Sequence, residues 1–167
     1  MDDVTADGEL ERFWIDARIR AGLNPSRPYM GPNQQDLMLP RTCRLGPTRE
    51  EADRLLALVL AGDLTATADP RSDYLDDELP VPGQLTILLD GEDHPHALIR
   101  TTEVRVVRYD EVDEEHARAA GTGGLSEWQA ANVALAGADR DAEVVLERFE
   151  VLVPVELRPD KPRMFGR

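Results

Sequence analysis

The chain has 167 residues, 41% of them hydrophobic, which is enough for one domain with a real core and too few for two full ones. Its 33 acidic residues against 19 basic ones leave a formal charge of −14, which opposes bulk nucleic-acid binding, because that binding draws most of its energy from Lys and Arg displacing phosphate counterions. The single cysteine, Cys43, excludes an internal disulfide, no apolar run approaches the ~20 residues of a bilayer span, and the start Met1-Asp2-Asp3 is acidic where a secretory signal is basic, so a cytoplasmic protein with no membrane partner is expected.

Leu10, Phe13, Trp14, Ala17 and Ala21 fall at helical spacing and predict a helix packed on the body. Pro25, Pro28, Pro32, Pro40 and Pro47 then break every period, so residues 22–46 read as a long loop. Thr48-Arg49-Glu50-Glu51 has the form of a capping box opening a helix with Ala52, Leu55, Leu56, Val59 and Leu60 on one face, ended by Gly62. Strands are expected at 64–68, 85–89, 97–108 and 144–153, rich in branched residues and separated by turn signals such as Asp90-Gly91. Two short helices intervene, one from Asp110 to Ala120 and one opened by Ser126, with Gln129 three residues on, and stopped by Gly137.

Several residue types invite a functional reading that simpler packing explains equally well. Arg41, Arg44, Arg49 and Arg54, and the tail Arg158, Lys161, Arg163 and Arg167, read as solvated counter-charges to an acidic body. His94 and His96 lie in one turn and are too few for a metal site, His116 reads as a helix-surface residue, and Trp128 as a core anchor rather than a base-stacking platform. No metal or cofactor is expected.

The segment Leu60-Ala61-Gly62-Asp63-Leu64-Thr65-Ala66-Thr67-Ala68-Asp69 resembles the G-x-K-x-x-T-x-R motif of the ASCH domain, a small β-barrel family related to PUA RNA-binding domains. Further blocks are similar to the family in its order: Tyr74 to Gln84, Ile87 to Gly91, Ile99 to Val104, Tyr109 to Ala117, Leu125 to Trp128, and Val145 to Phe149. The resemblance covers Leu10 to Val153 and is to the larger bacterial members. It implies an α+β fold, a PUA-like, mostly antiparallel β-barrel of five or six strands flanked by helices. On that basis residues 48–156 form the barrel, 1–47 an N-terminal helix and Pro-rich loop on its surface, and 157–167 a basic tail.

Two activities are implied by the family: hydrolysis of the acetyl amide of an acetylated cytidine nucleoside, and cleavage of single-stranded RNA. The implied amidohydrolase machinery is a Lys, a Thr and a Glu, in which the Thr hydroxyl attacks once a desolvated Lys takes its proton. Here the Thr is Thr67, the Lys position holds Leu64, the Arg position Asp69, the helix Glu position Ala120, the strand Glu position Arg100, and the His after the helix Trp is Asn132. The expected function is therefore binding of a small polar ligand, a nucleoside, nucleotide or short RNA, beside the helix end at Gly62. Thr65, Thr67, Asp69, Tyr74, Glu78, Arg100, Thr102 and Glu103 are the candidate contacts. The rival readings are a hydrolase using Thr67 with Asp69 or Glu103 as substitute carboxylate, and a protein-interaction module.

Overall fold

The computed structural model describes residues 3–23, 38–137 and 140–158. Pro25, Pro28 and Pro32 of the expected loop, and Lys161, Arg163 and Arg167 of the tail, lie outside the described residues. Within them the chain forms α1 (Asp3–Arg20), β1 (Arg41–Arg44), α2 (Arg49–Leu60), β2 (Ala66–Pro70), β3 (Leu85–Leu89), β4 (Pro95–Arg108), α3 (Glu114–Ala119), α4 (Leu125–Ala131) and β5 (Glu143–Val153). The strands make one five-stranded sheet in the order β1-β3-β4-β5-β2. The chain divides into two compact units, one of residues 1–57, 85–99 and 151–167, the other of residues 58–84 and 100–150.

In the first unit the apolar stripe of α1 behaves as its spacing predicts. Trp14, Ala17 and Ala21 are buried against Ile87, Leu98, Leu152 and Val153. Strand β1 was not legible, because only Cys43 of its four residues is even half-buried and no apolar alternation marks it. It exists because β3 offers a ladder edge: Arg41 to Arg44 pair in parallel with Thr86 to Leu89, and the Arg41 Nε donates to the Thr86 hydroxyl at 3.0 Å. This pairing makes the sheet mixed. The Thr48 half of the capping box forms, its Oγ1 accepting the Glu51 amide at 3.1 Å, while the Glu51 carboxylate turns to Arg54. The β3–β4 turn is held by Asp53, which accepts the Gly91 amide at 2.7 Å; a Cβ on Gly91 would meet the Arg49 carbonyl oxygen at 2.6 Å, so no other residue fits that approach.

In the second unit Gly62 ends α2 with a φ of +81°, as its position predicts. The next strand starts two residues later than expected, at Ala66, because the Thr65 amide is diverted to the Ala119 carbonyl at 2.7 Å. The core gathers Tyr109, Val112, Ala117, Trp128, Ala136, Val144 and Leu146. Tyr109 and Trp128 lie 5.5 Å apart between ring centroids, within the range of favourable aromatic pairs, and the Tyr109 hydroxyl donates to the Gln129 carbonyl at 2.8 Å.

The helix expected from Asp110 to Ala120 divides into a 3₁₀ turn at Tyr109–Glu111 and α3, whose start Asp113 caps by accepting the His116 amide at 2.7 Å. The second helix begins at Leu125 without a side-chain cap from Ser126. Glu114 reaches over from α3 to accept the Leu125 amide at 2.8 Å. It stops at Ala131 rather than continuing to Gly137, and the Asn132 side chain bonds back to the Trp128 carbonyl at 2.9 Å, so that only a 3₁₀ turn at Val133–Leu135 follows. The α+β, PUA-like fold is the one expected.

Candidate functional site

All the candidate residues fall in the second unit. Thr67 stands directly opposite Glu147 in the antiparallel β2–β5 pair. Directly opposed residues share a sheet face with Cβ atoms about 4.5–5.5 Å apart. The Thr101 hydroxyl of β4 donates to Glu147 Oε1 at 2.6 Å, so Thr67, Glu147 and Thr101 form a polar row across three strands. Thr101 is 1% exposed and Glu147 8%, whereas Thr67 is half-buried. A carboxylate at that depth is costly unless hydrogen-bonded, and Thr101 supplies one such bond.

Alternation along the strands places Asp69 on the Thr67 face, and Glu103 on the Thr101 face. Asp69 accepts from the Tyr74 hydroxyl at 3.1 Å, which draws the loop after β2 to the end of the row. Arg71 steadies that loop by donating to the Tyr74 carbonyl at 2.9 Å and by pairing with Asp76. Glu78 and Thr102 are exposed. Arg100 and Thr102 alternate to the other face of β4, where Arg100 is paired with Glu150. The structure thus brings Thr67, Asp69, Tyr74 and Glu103 to one face with Glu147 and Thr101, leaves Thr65 just ahead of β2, and directs Arg100 and Thr102 away from that face. Gly62 contributes backbone only, ending α2 three residues before Thr65.

The expectation that His116 is a surface residue is corrected: it has no solvent exposure. The reason is a tertiary bond that its helical position did not reveal. Its Nε2 donates to the Thr67 carbonyl at 3.1 Å, and with the Thr65–Ala119 bond this fastens the candidate strand to α3 at two points. Its Nδ1 has no hydrogen-bond partner. Burial lowers the imidazole pKa; the bond to Thr67 and the Asp113 carboxylate oppose that shift, while Arg148 and Arg105 reinforce it. The ring therefore sits neutral, with its proton on Nε2.

Leu64 is 3% exposed and packs near the turn at Gly121, where a Cβ would lie 3.7 Å from its own. It offers the site neither a proton nor a charge. Ala120 is the C-cap of α3 and half-buried. Among the described residues no group of three or more His, Cys, Asp or Glu is arranged to hold a metal ion, and no helix is long and apolar enough to cross a membrane.

The ASCH-domain family model matches residues 41–153. The chain belongs to the ASCH family. Protein EF3133 from Enterococcus faecalis V583, described there under the family model DUF984, is similar to this ASCH protein at 28% identity with a TM-score of 0.69, over 86% of this chain and 92% of that one. An ASCH domain from Lactobacillus crispatus JV V101 aligns with a TM-score of 0.66 over 88% of this chain and 93% of that one; at 19% identity the likeness is one of fold. A search of curated proteins finds no match.

Sequence reasoning on this ASCH chain missed Glu147, Thr101 and His116. A signal existed for Glu147. Along β5 the buried positions Val145 and Phe149 alternate on its own face, so a Glu between them is a carboxylate interrupting an apolar stripe. Nothing comparable marked His116, whose partner lies 49 residues away in sequence.

Proposed function

We propose that this ASCH domain binds a small polar ligand on the face carrying Thr67 and Glu147, as a nucleoside, nucleotide or short RNA end would require, without the amide hydrolysis associated with its family. The polar row Thr67–Glu147–Thr101 is the observation that supports binding: two hydroxyls and a nearly buried carboxylate converge on one face of one unit. Absence of hydrolysis follows from the base. Leu64 fills the position where the family motif has Lys, and losing a general base typically removes a factor of about 100 to 10,000 in rate.

A second reading keeps the chemistry. Thr67 lies opposite Glu147, and Thr101 orients that carboxylate, so Thr67 as nucleophile with Glu147 as substitute base is the hydrolytic arrangement these residues favour over Asp69 or Glu103. A thermal-shift panel of nucleosides, nucleotides and short RNAs, run beside an assay of acetylated-cytidine deacetylation, separates the two. The binding reading expects a shift that Thr67→Ala abolishes and no turnover above background. Turnover that disappears in both Thr67→Ala and Glu147→Gln establishes the hydrolase instead, and a panel with neither shift nor turnover refutes both.

A further inference from the structure

Helix α1 is apolar on two sides. Trp14, Ala17 and Ala21 face the core of their unit, while Ile15 and Ile19, one turn apart, remain 50% and 60% exposed. Glu11, Ile15 and Arg18 fall at i, i+4 and i+7 and so share one stripe, running from an acid through an apolar centre to a base. With Trp14 and the exposed Leu39 they line a cavity of about 250 Å³. Glu11 and Arg18 are two helical turns apart, about 10 Å along the axis, too far to pair with each other. Among the described residues neither forms an ion pair, whereas Arg20 of the same helix is bound to Asp16 at 2.8 Å. The Arg18 guanidinium lies over the Trp14 ring, and its Nε is buried without an acceptor.

We propose that this stripe is the contact of a symmetric dimer, in which α1 packs antiparallel against α1 of a second copy of the chain. The order of the stripe points to a copy of itself: read in the reverse direction, acid–apolar–base becomes base–apolar–acid, which complements the original. A two-fold axis passing between Trp14 and Ile15 sets Glu11 of one copy opposite Arg18 of the other, and makes the same contact a second time in the opposite direction. Each Arg18 then gains the carboxylate it lacks on its own chain. Each Ile15 stands opposite Trp14 of the other copy, at the cavity that Trp14 and Leu39 line. The chain's charge of −14 opposes association at long range, but at about 0.15 M salt a screening length of about 8 Å leaves the groups at the contact to decide. One helix stripe makes a small interface, so the dimer is a weak one that dissociates on dilution.

The test is analytical ultracentrifugation of the full chain at about 0.15 M salt, over a concentration series reaching about 200 µM. The expected result is a mass that rises toward two chains with concentration. Ile15→Ser, Glu11→Arg and Arg18→Glu should each weaken association at least about tenfold, the last two by setting like charges opposite each other twice. An equimolar mixture of Glu11→Arg with Arg18→Glu should associate again although neither does alone, because every contact between positions 11 and 18 is then Arg to Glu. A wild-type chain that stays monomeric throughout the series overturns the proposal. So does a dimer indifferent to Ile15→Ser and to both charge reversals, since it must use another face. A mixture no more associated than its components overturns the antiparallel pairing and the proposal with it. Melting curves establish that each variant is folded; should Arg18→Glu not fold, Glu11→Arg and Ile15→Ser, both at exposed positions, decide.

Discussion

The buried imidazole of His116 should give this protein a stability that falls as pH drops below about 6.5, and replacing it should abolish that fall. His116 has no solvent exposure, and its pKa is lowered chiefly by burial. The unfolded imidazole takes a proton near its ordinary pKa of about 6.5, which the folded one refuses. The unfolded state then binds more protons, so stability is full above that value and is lost as pH falls toward the depressed folded pKa, with a slope of at most about 1.4 kcal/mol per pH unit for one proton. Glu51 and Asp113 are lowered by hydrogen bonds from Arg54 and the His116 amide, and Asp90, against its desolvation, by hydrogen bonds from the His94 and Glu92 amides and the His96 ring; all three lose their contribution only as pH falls below about 5. His94, raised by Glu9, has the opposite sign: its contribution is complete below about 6.5 and is lost as pH rises. The interval from 5 to 6.5 therefore isolates His116. At pH 7.5, His116→Leu strips the Thr67 carbonyl of a donor, at about 1–3 kcal/mol, but also removes the unpartnered Nδ1, which recovers a similar amount. The two nearly cancel, leaving the midpoint within a few degrees of wild type, since 1 kcal/mol moves a domain of this size by about 2–4 °C. His116→Gln, which can keep a donor to Thr67 without titrating, should match wild type at pH 7.5 and lack its slope. Urea titrations at half-unit steps from pH 5 to 8 measure both. A His116→Leu variant whose stability falls with the wild-type slope in this window would refute the assignment.

The remaining predictions concern the site and the surface. Leu64→Lys with Ala120→Glu, intended to supply the family's base and carboxyl group, should lower the melting temperature, because an ammonium would replace a side chain that is 3% exposed; losing that burial alone costs about 1.5–3 kcal/mol. A folded double variant that hydrolyses acetylated cytidine would show that Thr67 is still placed to react, and one that melts above wild type would refute the packing argument. Binding of a labelled 20-nucleotide single strand should be weaker than micromolar at physiological salt, given the −14 charge. Micromolar affinity with a steep salt slope, lost on replacing Arg41 and Arg44, would refute this expectation.

Elements whose own residues carry a period were legible: the Trp14 stripe of α1, the Gly62 stop, and strand β3, expected at the residues where it is found. Strand β1 was not, since four residues with one half-buried side chain gain their conformation from β3 and not from local preference. The same distinction runs through the site. Thr67 and Asp69 were found through a motif contiguous in sequence, whereas Glu147 and Thr101 become neighbours only when β2, β5 and β4 are laid side by side. Helix ends were misjudged where a remote side chain supplied the cap, as Glu114 does for Leu125 in place of Ser126.

The chain's two tryptophans are divided between its two compact units, Trp14 in one and Trp128 in the other, and each is almost wholly shielded from solvent. Each unit thus carries its own fluorophore. Trp14 lies beneath the Arg18 guanidinium, 5.8 Å from the ring centroid, while Trp128 has Tyr109 beside it as an energy donor. Emission excited through tyrosine and emission excited in the indole alone weight the two units differently, and a single Trp→Phe change silences one of them. Denaturation curves recorded in these channels would coincide for a cooperative two-state chain and separate for one whose units melt in turn, so the unfolding of the unit that carries Thr67 and Glu147 can be followed without attaching a label.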